Sequence, residues 1–203
     1  MERRTVLPGR AGNAAARLRK MLTPKRFIHS LETARIAERL AKIHSVDPDR
    51  AYLAGLIHDC LRDSSVSRIK KIAGREFVNI EREAMKIAPL YHSFGAPAAA
   101  RKIFGIRDRG ILSAVKYHTT GSVKMGKLAG IVYVADYIAG FRGTGSAGRV
   151  RKLAEDKNKL DMAVRMAAGG KIKYLRKNKK EVHGNTVLLY TRDIPEKRKM
   201  SGK

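Results

Sequence analysis

The feature that most constrains the fold is a helical periodicity that restarts several times along the chain. Thr23 and Pro24 are typical of a helix start, with a capping residue before a proline at the first helical position. Apolar residues then recur at helical spacing to about Ile43. Asp47 and Pro48 repeat the start signal. No stretch shows the alternation of a strand, so the sequence predicts an all-α protein.

The remainder of the chain continues this pattern. The predicted elements are one or two short helices over residues 64–88, an alanine-rich helix over 93–104, a helix from 108 to about 115, the apolar helix LAGIVYVADYIA, a glycine-rich loop GFRGTGSAGR, a basic helix over 159–178 and a last helix capped at Asn185. The length of 203 residues favours one domain. We expect a basic N-terminal extension over 1–22, open to disorder, a helical domain over 23–193 and a basic tail over 194–203.

Composition indicates whether such a domain is soluble and in which compartment it is expected. Hydrophobic residues make up 43% of the chain, enough for a core, and no apolar run approaches the roughly 20 residues that cross a bilayer. The first residues are basic but lack the apolar stretch of a secretory signal. Cys60 is the one cysteine, which rules out an internal disulfide and reads as a packing residue. We therefore expect a soluble, cytoplasmic protein with no membrane partner.

The charge of the chain points to an anionic partner. Lys and Arg number 44 against 18 Asp and Glu, a net charge of +26, and such a field attracts polyanions. RNA or the ribosome, bound through the basic ends, and phosphorylated nucleotides are the candidates. Few aromatic residues are available for base stacking and no nucleic-acid-binding motif is visible. An RNA-binding protein therefore remains the alternative to an enzyme whose charge steers an anionic substrate.

Histidines and aspartates recur at predicted helix ends and inside the apolar helix, where they form a candidate metal centre. The members are His29, His58, Asp59, His92, His118 and Asp136. Imidazole and carboxylate together suit Fe, Mn, Co or Ni, and the lack of cysteine argues against structural zinc. Taken singly, a histidine at a helix end is more often exposed or paired with the helix dipole. Asp136 lies among apolar neighbours and needs a partner there.

The order of these residues, with their flanks, is similar to that of a known family. RFIHSLETA, DRAYLAGLIHD, AVKYHTTG and ADYIAGFR resemble the HD-domain phosphohydrolases, and among them the YqeK-type symmetrical diadenosine tetraphosphate hydrolases. The resemblance runs from about Thr23 to Asp193. YHTTG before an apolar helix that ends in ADYI is more specific than the HD pair alone. Other HD-type nucleotide phosphohydrolases and phosphodiesterases stay open as the alternative.

The resemblance implies an HD-domain helical bundle with two divalent metal ions in its core. Iron is expected, with Mn, Co or Ni as alternatives. The implied ligands are His29, His58 and Asp136 for one ion, His92 and His118 for the other, and Asp59 as the bridge. A hydroxide between the ions would split dinucleoside tetraphosphates into two nucleoside diphosphates. The resemblance also implies a homodimer.

A second group of residues is predicted to act on the phosphate chain. Asp59 and Arg62 are the predicted catalytic residues, and Arg62 stands where the family usually has lysine. The predicted substrate contacts are Thr119, Thr120, Gly121, Arg142, His183 and Thr186. The arginines would neutralise phosphate charge. Hydroxyl and backbone N–H groups after His118 would hold the phosphate chain.

Overall fold

The chain folds as a helical bundle. A computed structural model describes residues 7–85, 87–141 and 145–192. The helices are α1 (Leu7–Arg19), α2 (Pro24–Ile43), α3 (Pro48–Ile57), α4 (Val66–Ala73), α5 (Phe77–Glu83), α6 (Tyr91–Lys102), α7 (Arg109–Tyr117), α8 (Lys127–Gly140), α9 (Gly145–Ala154), α10 (Leu160–Lys177) and α11 (Gly184–Thr191), with 3-10 turns at Gly74–Glu76 and Ala88–Leu90. Every regular element in these ranges is helical, which confirms the all-α prediction.

The proline-marked helix starts lie where the sequence places them. Pro24 opens α2 and Pro48 opens α3. The Asp47 side chain accepts hydrogen bonds from the backbone N–H groups of Asp49 and Arg50, which satisfies two of the donors that a helix leaves free at its start. Thr23 makes no side-chain cap, and its own N–H donates to Asp63 Oδ2 at 2.8 Å.

The apolar helix α8 lies at the centre of the bundle. Helices α2, α3, α7, α9 and α10 pack against it. A helix that is apolar on all sides has to be covered on all sides, and residues 128–135 are all buried. Asp136 follows directly, so a carboxylate is carried into the interior of the bundle. No helix in the described part of the chain is both long and apolar enough to cross a membrane.

Two predicted elements near the C-terminal end differ from the structure. The predicted glycine-rich loop over residues 140–149 is helical from Gly145, because α9 buries Ala147 and Val150 against its neighbours. Burial of these apolar side chains offsets the low helix propensity of glycine. The cap of α11 is His183 rather than Asn185: the backbone N–H of Asn185 donates to His183 Nδ1 at 3.1 Å.

The described part of the basic N-terminal extension is also ordered. Helix α1 packs against α2 and α3. Leu18 is fully buried, and Ala14 and Leu22 are buried beside it. These residues give the basic segment an apolar face, and its burial favours a packed helix over a disordered arm.

Candidate metal centre

Five helices deliver the predicted ligands to one point in the core. His29 lies on α2, His58 and Asp59 follow α3, His92 lies in the first turn of α6, His118 follows α7, and Asp136 lies on α8. Helix α3 can reach α2 because residue 55 is glycine: a Cβ there would lie 2.9 Å from Ala34 Cα. Two overlapping sets have ligand atoms within 4.8 Å of one another, namely His29–His58–Asp136 and His58–Asp59–His118. His92 Nε2 lies 3.2 Å from both Asp59 Oδ1 and His118 Nε2, so all six predicted ligands lie together.

Asp136 and two histidines form one side of the centre. Asp136 Oδ1 lies 3.1 Å from His29 Nε2 and 3.6 Å from His58 Nε2. The histidine rings lie edge to face, with centroids 5.3 Å apart. This side offers two imidazole nitrogens and one carboxylate oxygen, the donor set that divalent first-row metals accept.

Asp59 links that side to the other. Its Oδ1 lies 3.2 Å from both His92 Nε2 and His118 Nε2, whereas its Oδ2 lies 3.6 Å from His58 Nε2. The two oxygens of one carboxylate thus face different histidines, and this is the geometry that a bridging carboxylate needs. Arg26 Nη1 also lies 3.6 Å from Asp59 Oδ2, at the rim.

Backbone carbonyls fix which nitrogen of each buried histidine faces the centre. The Nδ1 atoms of His58, His92 and His118 lie 2.6, 2.7 and 2.8 Å from the carbonyl oxygens three residues earlier in the chain. A carbonyl oxygen only accepts, so each Nδ1 carries the proton and donates it. Each Nε2 therefore presents a lone pair to the centre, as a metal-bound histidine with an outer hydrogen bond does.

These lone pairs test whether the residues fit a metal ion. His92 Nε2 and His118 Nε2 lie 3.2 Å apart, and two bare acceptors cannot hydrogen-bond each other. The Thr119 hydroxyl lies 2.9 Å from His118 Nε2 and 3.3 Å from His92 Nε2, yet its single proton can serve only one of them. His58 Nε2 is buried without a hydrogen-bond partner. Buried acceptors that converge without donors are costly, and a cation among them removes that cost.

The pKa values of His118, Asp59 and Asp136 favour their ligating forms. Burial, helped by the neighbouring histidines, lowers the pKa of His118 to about 4, so its imidazole is neutral. Burial alone would favour the neutral forms of Asp59 and Asp136. The attraction of His58 for Asp59, and of Lys171 for Asp136, outweighs it and holds the pKa of each carboxyl well below its usual range. At neutral pH the centre thus offers two carboxylates and a neutral His118.

Cys60 follows the bridging aspartate but takes no part in the centre. Its thiol is fully buried. Burial, together with the negative charge of Asp59, raises the pKa of the thiol to about 12. A thiol that stays protonated at neutral pH is a poor ligand and nucleophile, which agrees with the packing role predicted for it.

A cavity of about 220 Å³ opens beside the ligands. Arg62 and Thr119, both predicted to act on phosphate, line it, and so does Arg26. Arg62 Nη1 donates to the Pro89 carbonyl oxygen at 3.4 Å, the same oxygen that accepts from His92 Nδ1, so its guanidinium lies against a ligand-bearing turn. A larger groove of about 840 Å³ shares no lining residue with this cavity and contains no histidine or carboxylate.

Three other predicted substrate contacts have roles inside the fold. The backbone N–H of Gly121 donates to the Tyr117 carbonyl oxygen, and its φ of +67° favours glycine. The Thr120 hydroxyl is buried and donates to the Gly121 carbonyl oxygen at 3.0 Å. Thr186 donates to the Thr120 carbonyl oxygen at 2.8 Å and so ties α11 to the turn after α7. None of the three lines the cavity, so these contacts do not support their predicted role.

His183 and Arg142 complete the set of predicted contacts. His183 Nε2 donates to the Glu83 carbonyl oxygen at 2.9 Å, and its Nδ1 accepts from the N–H of Asn185. Both ring nitrogens are therefore used in joining α11 to α5, and the side chain does not line the cavity. Arg142 lies outside the described residues.

Lys171 on α10 is the residue at this centre that sequence reasoning missed. Its Nζ lies 3.2 Å from Asp136 Oδ2, and the side chain lines the cavity. Phe141 and Tyr174, whose rings meet edge to face at 5.4 Å between centroids, line the same wall. The sequence predicts α10 as a basic helix, in which Lys171 is one of many cations. The two glycines before it, at residues 169 and 170, were the sequence feature that could have indicated a close helix contact there.

In this bundle a histidine–aspartate pair meets further histidines and a second aspartate at the ends of the helices. This is the architecture of the HD domain. The sequence profile described as HD domain matches residues 26–140, more than half of the chain. The chain belongs to the HD domain family.

Within that class the chain belongs to the YqeK-type family, several members of which are named symmetrical bis(5'-nucleosyl)-tetraphosphatase. It is 30% identical to a Bacillus subtilis protein named bis(5'-nucleosyl)-tetraphosphatase, symmetrical, over 87% of this chain and 94% of that protein. A Staphylococcus aureus protein of the same name is 31% identical over 74% of this chain and 77% of its own length. A solved structure from Clostridium acetobutylicum, described as a predicted HD superfamily hydrolase involved in NAD metabolism, superposes with a TM-score of 0.79 at 32% identity, over 88% of this chain and 94% of that chain.

Proposed function

We propose that this HD-domain hydrolase cleaves dinucleoside tetraphosphates, such as diadenosine tetraphosphate, symmetrically into two nucleoside diphosphates. The observation that carries the proposal is the placement of Asp59 between two histidine sets, with one oxygen toward each. The names of the curated relatives support the choice of substrate and product. Another HD-type nucleotide phosphohydrolase is the alternative, and the relative linked to NAD metabolism keeps it open.

The centre is proposed to hold two divalent ions, with iron expected and Mn, Co or Ni as substitutes. His29, His58 and Asp136 would hold one ion, His92 and His118 the other, and Asp59 both. Such ions supply Lewis acidity and lower the pKa of bound water, so that hydroxide is available near neutral pH. The neutral imidazole of His118 and the ionised carboxylates of Asp59 and Asp136 are the protonation states that this binding requires.

The cavity suits the phosphate chain rather than the whole substrate. Its volume of about 220 Å³ is below the roughly 300–1,000 Å³ of pockets that enclose an entire small molecule. Cationic side chains of Arg26, Arg62 and Lys171 face it and can offset phosphate charge. Phe141 and Tyr174 lie at its wall and offer apolar surface to a nucleoside. The phosphates would therefore enter while the nucleosides lie over the rim.

Charge neutralisation is the main demand of this reaction. The departing nucleoside diphosphate is a tolerable leaving group and does not need a strong proton donor. The carboxyls that line the cavity, Asp59 and Asp136, have pKa values far below neutral and keep no proton to donate. Arg62 is proposed to stabilise the charge that develops on the phosphates. A cavity with fixed cations and ionised carboxylates thus fits symmetrical cleavage of the chain.

The products of cleavage test the proposed function. Purified protein with Mn²⁺ or Fe²⁺ and diadenosine tetraphosphate is expected to release ADP as the sole early nucleotide product, because attack falls on one of the two central phosphorus atoms. Chromatography of samples from the first tenth of the reaction measures this. AMP and ATP in equal amounts would show asymmetrical cleavage instead. Parallel reactions with a nucleoside monophosphate, a triphosphate and a cyclic nucleotide separate the other HD-type activities.

Metal binding is expected to weaken on the acid side of neutrality. Burial acts against charge on His58, but Asp59 and Asp136 outweigh it and raise the pKa of His58 in the metal-free protein. Below that pKa each metal ion at this site must displace a proton, so the apparent affinity should fall about tenfold per pH unit. Above it the affinity should be flat, since His118 with a pKa of about 4 holds no proton there. Calorimetric titration with Mn²⁺ in buffers of different ionisation enthalpy measures both affinity and proton release. An affinity that is constant from pH 8 to pH 5 would contradict the assignment of His58.

A further inference from the structure

We propose that Lys171 is a positioning residue of the metal centre: it fixes Asp136 and the turn that carries His118 from a helix outside the HD-matched span. The HD match ends at residue 140, whereas Lys171 lies on α10. The proposal rests on the metal centre of the proposed function but not on the identity of its substrate.

The hydrogen bonds of Lys171 join two ligand-bearing elements. Its Nζ donates to the His118 carbonyl oxygen at 2.8 Å, to Asp136 Oδ2 at 3.2 Å and to the Thr119 carbonyl oxygen at 3.3 Å. An ammonium group has three protons, and these acceptors use all of them. Lys171 therefore acts as a clamp between the end of α7 and the middle of α8, with no proton left for another partner in this arrangement.

The clamp decides which oxygen of Asp136 faces the histidines. Lys171 occupies Oδ2, while Oδ1 lies 3.1 Å from His29 Nε2. Asp59 differs, because both of its oxygens face histidines. Asp136 would thereby offer one oxygen to a metal ion, and Asp59 would be the carboxylate that can serve two. The ammonium also lies 4.1 Å from the centroid of the Tyr133 ring, which stabilises its charge in this largely buried position.

Two glycines bring Lys171 to this position. A Cβ at residue 170 would overlap the Tyr137 hydroxyl of α8, and a Cβ at residue 169 would lie 2.8 Å from Tyr190 Cε2 of α11. Glycine is unfavourable inside a helix, so adjacent glycines in α10 need a compensating gain. Here the gain is close approach to α8, which places the next residue, Lys171, within hydrogen-bond distance of Asp136. The sequence Gly169-Gly170-Lys171 is thus one structural unit.

Two effects of Lys171 on metal affinity oppose each other. Its positive charge repels a cation, so by charge alone its removal would tighten binding. Its hydrogen bonds fix a ligand, and loss of such an outer partner typically weakens binding about 10–100-fold. The charge of Lys171 is largely offset by Asp136 and the two carbonyl oxygens, so the positioning effect should dominate.

The test compares Lys171→Met, Gly170→Ala and the control Lys173→Met by Mn²⁺ titration of metal-free protein. Lys171→Met removes the ammonium but keeps an aliphatic stem, and Gly170→Ala keeps the lysine but pushes α10 away from Tyr137. Both are expected to bind Mn²⁺ about 10–100-fold more weakly. Lys173 is an exposed cation of the same helix, outside the cavity, so its variant should bind like the wild type. Circular dichroism checks that each variant keeps its helices. If Lys171→Met does not fold, the Mn²⁺ affinity of Gly170→Ala decides the test.

Three outcomes would overturn the proposal. Unchanged Mn²⁺ binding by folded Lys171→Met would show that the lysine does not support the ligands, and tighter binding would show that it acts mainly as a repelling charge. A defect shared by Lys173→Met would show a general effect of charge on α10. With metal saturating, a raised KM at unchanged kcat and unchanged metal affinity would make Lys171 a substrate contact instead. Wild-type protein that binds no Mn²⁺ would overturn the proposed metal centre itself, whereas failure to cleave diadenosine tetraphosphate would leave the Mn²⁺ comparison intact.

Discussion

The Asp59→Asn protein is expected to keep its helical fold and to lose hydrolysis of diadenosine tetraphosphate by at least about 10³-fold. Asparagine has the same size, but it replaces one carboxylate oxygen by an NH₂ group, which cannot ligate, and it removes the negative charge that attracts the ions. The loss falls on both sides of the centre because the two oxygens of Asp59 face different histidines. Metal content measured by atomic spectroscopy should fall together with activity, while the circular dichroism spectrum should not change.

Glu81→Gln provides a matched control for this variant. Glu81 is an exposed acid on α5 and does not line the cavity. The same change of charge there should leave metal content and rate as in the wild type. Wild-type activity in Asp59→Asn would break the argument for a bridging carboxylate. Normal metal content with lost activity would restrict Asp59 to a role in the chemical step.

Metal binding is expected to raise the thermal stability of the protein by roughly 8–16 °C when free metal exceeds the dissociation constant about 1,000-fold. A ligand at this excess that binds only the folded state contributes about 4 kcal/mol. For a chain of this size each kcal/mol shifts the melting temperature by about 2–4 °C. The structural reason is that His58 Nε2 has no hydrogen-bond partner and that one Thr119 hydroxyl faces the Nε2 atoms of both His92 and His118. Differential scanning calorimetry of chelator-treated protein, with and without Mn²⁺, measures the shift.

The Asp59→Asn protein also serves as the control for this experiment. With the bridge lost, added Mn²⁺ should raise its melting temperature by only a small part of the wild-type shift. An equal shift in both proteins would mean that the metal binds elsewhere, and no shift in the wild type would mean that the described residues do not form a metal site.

Local chemistry explains why so much of this architecture can be predicted from the sequence. The starts of α2 and α3 depend on a cap and a proline within a few residues of each other, and such signals do not require knowledge of the rest of the chain. The six residues could be predicted as ligands because five of them stand in short flanking sequences that resemble a family, and His92 follows its order. The order of ligands along the chain, however, does not reveal which oxygen of Asp59 faces which histidine.

The residues that escaped prediction, or were given another role, depend on distant contacts. Lys171 meets Asp136 across 35 residues, and His183 meets Glu83 across 100. The two glycines before Lys171 distinguish it from the other cations of α10, but they do not reveal that it meets Asp136. Thr186 was expected to contact the nucleotide, but its hydroxyl donates to the Thr120 carbonyl oxygen, a pairing that depends on the docking of α11. Tertiary packing, rather than local preference, sets these roles.

The predicted ligands lie far apart in the sequence, and this separation affects how the protein folds during translation. His29 and Asp136 meet across 107 residues, and the clamp from α10 is translated later still. A nascent chain that has released α2 and α3 exposes His29, His58 and Asp59, but it lacks the carboxylate and the lysine that complete their surroundings. Closing so long a loop is entropically unfavourable until the bundle has packed. If the centre binds metal as proposed, we therefore expect the ion to enter after translation of α10, once the bundle has packed.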